Sequence, residues 1–192
     1  ARTEMSWGMP IFGATTSCGP LGDCYGVGTG KFIKFNGSLA RLQMLPFKSI
    51  GIFRIAGQYS PNSLLASEQF HLGGAYTVRG FNEGFLLGDY GYNLSLEMRT
   101  PIPFLEHALP DRIKYINDRI KFAIFYDQGF AKQLHNGISM HYDNFLQSMG
   151  VGMRFYLTKY LMSSIDVGFP LGIEKRQAEN LIFHFSMSSN ML

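Results

Sequence analysis

The sequence predicts an all-β fold, an antiparallel transmembrane β-barrel, and three observations carry that prediction. Polar and apolar residues alternate with a period of two through nearly every segment, which sets the two faces of each strand against each other. Long glycine-rich connections alternate with tight turns, as in outer-membrane barrels with long outer loops and short periplasmic turns. The chain is 46% hydrophobic, with 22 Gly and 17 Phe in 192 residues, yet its mean hydropathy is 0.00. No stretch approaches the roughly 18 apolar residues of a membrane-spanning helix. Barrel strands escape that test, because lipid-facing and lumen-facing residues alternate and average to neutral.

Taken in order, Met5, Trp7, Met9 and Ile11 share one face and Glu4, Ser6 and Gly8 the other. From Lys31 to Leu45, Ile33, Phe35 and Leu39 oppose Lys34, Asn36 and Ser38. The phase then changes and puts Arg41 and Gln43 where apolar residues belong, so a bulge near Leu39-Ala40 is the expected repair. Pro46-Phe47-Lys48 reads as a short turn, after which Gly51, Phe53, Ile55 and Tyr59 oppose Arg54, Ala56 and Gln58. Tyr92 to Arg99 alternates without a fault. Phe122, Ile124 and Tyr126 oppose Lys121, Ala123, Phe125 and Asp127, and Met149 to Phe155 opposes Ser148, Gly150, Gly152 and Arg154. Ile165, Val167 and Phe169 follow, and Leu181 to Ser188 closes the series. That makes about eight strands with no convincing helix between them.

The connections Gly13–Gly30, Ser67–Gly91, Ala131–Asp143 and Gly172–Glu179 are long, whereas those at Pro46–Lys48 and Thr158–Lys159 are tight. Pro103–Arg119 breaks the rule; its charged run, Glu106–Arg119, reads as a helical turn or a strand running past the membrane. The polar faces together hold Lys34, Arg54, Glu97, Arg99, Lys121, Asp127, Arg154 and Asp166, a wet and basic lumen. In a soluble β-sandwich the same residues would face water, and alternation alone does not separate the two cases. The opposite face, aromatic and aliphatic over nearly all strands, favours the barrel.

A net charge of +3 without a basic run gives no footprint for nucleic acid. The N-terminal Ala1-Arg2-Thr3-Glu4 lacks the apolar core of a signal peptide, so an export signal is expected upstream of this segment. Cys18 and Cys24 flank a turn-rich loop; they either close a small disulfide in an oxidising compartment or stay as two thiols. No metal site or cofactor is expected, since His71, His107, His135, His141 and His184 have no ligand spacing. A catalytic role finds no support either: His184 and Asp166 face inward, but there is no nucleophile elbow or spaced carboxylate pair.

Six short stretches then carry a more specific message. Ser67-Glu68-Gln69-Phe70, with Leu72-Gly73-Gly74 and Thr77-Val78-Arg79-Gly80-Phe81-Asn82-Glu83-Gly84, fills a loop that ends in Gly88-Asp89-Tyr90-Gly91-Tyr92. Phe125-Tyr126-Asp127-Gln128-Gly129 and Gly150-Val151-Gly152-Met153-Arg154 lie on later strands. In this order they resemble the two-partner secretion translocators, the haemolysin secretion/activation family of the bacterial surface-antigen superfamily. The resemblance runs from about Met5 to Ser188 and is strongest over Ser67–Thr100. It implies a bacterial outer-membrane pore that passes a large unfolded exoprotein of adhesin or haemolysin type. That exoprotein would be recognised mainly by periplasmic POTRA domains. Residues 1–192 would be the C-terminal portion of a barrel of about sixteen strands, with the POTRA domains and N-terminal strands absent.

The expected partners are the exoprotein, outer-membrane lipid and the barrel-assembly machinery; no bond is made or broken, so no enzyme is implied. The resemblance further implies that Val78, Arg79, Gly80 and Phe81 fold back into the barrel as a conformational lock. Arg79 would meet Asp127, with Glu97 a second inward acid and Phe125 an apolar contact, beside Gly129. Gly150 and Gly152 would leave room for the loop. A barrel-assembly factor of the same superfamily is the alternative function. One departure from the family pattern is the end of the chain, where Phe185 is followed by Ser186–Leu192 instead of closing on an aromatic residue.

Overall fold

The computed structural model describes residues 1–8, 31–102, 119–134, 144–158, 160–172 and 181–189. Ten strands fill most of them: β1 (Arg2–Gly8), β2 (Phe32–Met44), β3 (Ile50–Tyr59), β4 (Phe70–Leu72), β5 (Leu86–Gly88), β6 (Tyr90–Pro101), β7 (Ile120–Lys132), β8 (Phe145–Tyr156), β9 (Leu161–Leu171) and β10 (Ile182–Ser189). Eight form one sheet in the order β1-β2-β3-β6-β7-β8-β9-β10, while β4 and β5 make a separate two-stranded ribbon. Every pairing is antiparallel. The sheet is thus a simple meander, interrupted once where the β4–β5 ribbon lifts out between β3 and β6. It is open, with β1 and β10 at its edges. The Cys18–Cys24 pair, Met9, Ile11 and the run from Pro103 to Asp118 lie outside the described residues.

Register assigns the faces. Phe53, Leu96, Tyr126, Met149 and Phe169 form one continuous cross-strand row, and Leu96, Met149 and Phe169 stay exposed. Such a broad exposed apolar surface is what a lipid-facing wall requires. At the end of the strands away from the short turns, Tyr59, Tyr90, Tyr92 and Phe130 make ring contacts with centroids 6.2–6.5 Å apart. Aromatic girdles of this kind sit at the membrane–water interface. The inner rows carry the polar residues: Arg54, Ser95, Asp127 and Ser148 in one, and Arg99, Ala123, Gly152, Asp166 and His184 in another.

One expectation fails. β2 pairs with β3 in unbroken register from Phe35↔Tyr59 to Met44↔Ile50, with no bulge at Leu39-Ala40. Arg41 and Gln43 therefore lie on the outer face, where Arg41 Nη2 donates to Gln43 Oε1 at 3.2 Å. Leu42 and Met44 take the inner face opposite Ile52 and Ile50. The turn supplies the physical reason. Phe47 and Lys48 both adopt left-handed φ values, 58° and 54°, and Leu45 N–H donates to the Ser49 carbonyl at 2.9 Å. That tight turn pins the register from one end, and β3 continues aliphatic on the same inner face, so nothing rewards a slip.

Candidate functional site

The chain between β3 and β6 is long enough to leave the sheet, and its own chemistry brings it back against the inner wall. Its base is pinned by Asp89. One carboxylate oxygen accepts from Leu64 N–H (2.8 Å) and Gln69 Nε2 (3.1 Å), and the other from Leu134 N–H (2.8 Å). Lys34 on β2 pairs with Glu68 at 2.7 Å. From there the β4–β5 ribbon packs on β7 and β8 through Leu72, Val78, Phe81, Ala131 and Leu146, all fully buried. Gly129 makes that seat: a Cβ there would lie 2.9–3.0 Å from the Leu72 and Val78 side chains.

The tip then delivers Arg79 to the wall. Its Nε and Nη2 donate to the two oxygens of Asp127 at 2.7 and 2.9 Å, and its backbone N–H adds a third bond to the same carboxylate at 3.2 Å. Nη1 donates to Glu97 Oε2 at 2.6 Å, and Nη2 to Ser95 Oγ at 3.3 Å. The guanidinium lies 3.5 Å over the Phe125 ring. With 3% of the residue exposed, this is a desolvated, two-pronged Arg–carboxylate contact of the strong kind. A cation–π face adds to it.

Gly80 follows at φ 91°, a conformation that L side chains resist. Its N–H donates to His184 Nε2 at 2.9 Å, so that ring nitrogen is unprotonated and the loop tip is tied to β10. Gly168 on β9 accepts the tip's backbone directly, because a Cβ there would collide with Gly80 N.

Glu97 is more than a second acid. It accepts from Arg79, from Arg99 Nε (2.6 Å) and from Arg154 Nε and Nη2 (3.1 and 2.8 Å), with Arg54 Nη2 at 3.6 Å. Arg154 reaches on to Asp166 at 2.8 Å, and Asp166 lies 3.7 Å from Arg79. The network holds four guanidiniums and three carboxylates on one patch of wall.

The structure therefore brings Arg79 together with Asp127, Glu97 and Phe125, and sets Val78 and Phe81 in the buried contact with Gly129 nearby. Gly150 and Gly152 do something other than expected. A Cβ on Gly150 would collide with the Phe125 ring, and one on Gly152 with the Asp166 carboxylate. They make room for wall side chains that meet the loop, not for the loop itself. Residues whose part in the site sequence reasoning missed are Asp89, Gly168, Arg154 and His184. Gly168 shares its inner face with Asp166, the same polar/glycine spacing as on β8, and that was a readable signal. No sequence signal singled out His184 as a partner of the loop.

Comparison with known proteins identifies the family and the fold. The family model for haemolysin secretion/activation proteins (ShlB/FhaC/HecB) matches residues 1–155. The heme/hemopexin transporter protein HuxB of Haemophilus influenzae is 27% identical over 160 residues, covering 81% of this chain and 26% of HuxB. The chain thus spans about a quarter of the length of its curated relatives. Among solved structures, CdiB from Escherichia coli superposes with a TM-score of 0.71 at 22% identity, covering 97% of this chain and 32% of that one. BamA from Haemophilus ducreyi, lacking POTRA domains 1–3, gives 0.57 at 16% over 83% of this chain and 35% of its own. These likenesses support the fold of an outer-membrane barrel. The chain belongs to the haemolysin secretion/activation family, whose members are β-barrel proteins of the bacterial outer membrane.

Proposed function

We propose that the chain is the C-terminal part of an outer-membrane pore that exports a large unfolded exoprotein of adhesin or haemolysin type by two-partner secretion. Residues 1–192 would supply about half of a barrel of about sixteen strands, with POTRA domains elsewhere in the full protein recognising the exoprotein. The β4–β5 loop acts as its conformational lock: seated, it occupies the lumen, and passage of the exoprotein requires it to yield. Nothing is hydrolysed or transferred, so the protein works as a conduit and not as an enzyme. The observation that carries this reading is the buried Arg79, held by both oxygens of Asp127 and by Glu97. A surface loop would have no reason to desolvate a guanidinium there. The matched family favours secretion over barrel assembly, since the likeness to BamA is one of fold alone.

The test is export of the cognate exoprotein by a full-length protein carrying this segment, with barrel insertion followed separately. Arg79→Ala and Asp127→Ala are expected to abolish or strongly reduce export while the barrel still inserts. The exchange Arg79→Asp/Asp127→Arg should rescue only partly, because Asp at 79 would face Glu97 and Asp166. Normal export by Arg79→Ala would end the lock reading.

A further inference from the structure

Beneath the loop tip lies a cavity of about 240 Å³, lined among others by Arg54, Arg99 and Arg154, by the carboxylates of Glu97 and Asp166, and by Ser164, Ser186 and Ser188. Arg99 stands near the end of β6, and Ser164 and Ser188 near the β8–β9 turn end of the sheet. Short turns are periplasmic in such barrels, so these residues lie towards the periplasmic end of the sheet.

In the charge network that borders it, guanidiniums outnumber carboxylates. A carboxylate offers about four lone-pair sites, and those of Glu97 are taken by Arg79, Arg99 and two nitrogens of Arg154. Asp127 takes three bonds from Arg79, and Asp166 takes one from Arg154. Arg54, its side chain 46% exposed, stands 3.6 Å from Glu97 Oε2, beyond hydrogen-bond reach. Four guanidiniums against three carboxylates leave one positive charge over, and Arg54 carries it into the cavity.

We propose that Arg54, with the serine hydroxyls that line the same cavity, forms a binding subsite for a carboxylate or similar oxyanion on the periplasmic side of the seated loop. The inference rests on the reading of the loop as a lock and adds a ligand to it. The surplus exists only while the loop is in. Once Arg79 withdraws, Glu97 Oε2 loses its 2.6 Å donor, and Arg54 is the adjacent guanidinium able to replace it. An anion therefore binds the seated state better, and by linkage it holds the loop shut.

The experiment is single-channel recording from a full-length protein carrying this segment in planar bilayers. Acetate or a short oligoglutamate peptide is added on the periplasmic side at constant ionic strength. Open probability is expected to fall with carboxylate concentration, and Arg54→Gln to shift the half-effect concentration upward by about tenfold, as for loss of one charge-assisted contact. A response to acetate equal per carboxylate to that of the peptide assigns the site to small free anions. A response to the peptide alone assigns it to acidic side chains of a polypeptide. An unchanged carboxylate dependence in Arg54→Gln overturns the proposal. Failure of the lock itself reads differently: Arg79→Ala would then show the same open probability as the unmodified protein.

Discussion

Glu97 sits where one side chain decides the state of several others. Removing its charge would leave Arg99 with only neutral partners such as Tyr156 and Arg154 with Asp166 alone among carboxylates, and weaken the hold on Arg79. Breaking a buried ion pair typically costs about 3–5 kcal/mol when no other partner remains, and less here. Glu97→Gln is thus expected to lower the unfolding midpoint of the inserted barrel, read in urea by the mobility shift between folded and unfolded bands. A negligible change would mean that water already satisfies these arginines. Gly168 makes a different prediction: a methyl group there collides with the Gly80 backbone but touches no charge. Gly168→Ala should leave the barrel folded and raise its resting conductance, because the tip no longer seats. Arg79 and Asp127 were legible because each stands in a short recognisable phrase. The hub at Glu97 was not, because its donors lie 2, 18 and 57 residues away and only the sheet register gathers them.

The strands themselves were almost wholly legible, since a period of two sustained over ten or so residues fits a strand and not a helix. β2 is the instructive exception. The change of phase along it points to a bulge, yet the Leu45–Ser49 turn fixes the pairing, and Arg41 is simply carried to the outer face. Local geometry at the end of a hairpin outweighs the pattern along it. The β4–β5 ribbon escapes sequence reading for the opposite reason: each strand has only three residues, too short for any periodicity. What holds that ribbon at its root is Asp89, through its hydrogen bonds from Leu64, Gln69 and Leu134. Asp89→Ala should leave the strands intact and make the loop markedly more sensitive to added protease in the inserted barrel. Unaltered protection would show that the apolar contact of Leu72, Val78 and Phe81 suffices.

Across the whole molecule, the sheet has two unlike surfaces. The outer wall presents Trp7, Leu96, Met149, Phe183 and Phe185 exposed, a face stable against lipid and not against water. The inner wall concentrates charge on one patch and covers it with a segment of the same chain. That cover is seated late in the chain's own order: Gly80 rests on Gly168 and on His184, the latter 104 residues downstream. The tip's contacts with Gly168 and His184 form only once β9 and β10 have joined the sheet. Contacts so distant in sequence form slowly and after the local hairpins, so the tip is expected to be tied down after the strands that carry Glu97 and Asp127 have paired. A sheet without the β9–β10 hairpin would then still hold Arg79 on Asp127 and leave the backbone of the tip untethered.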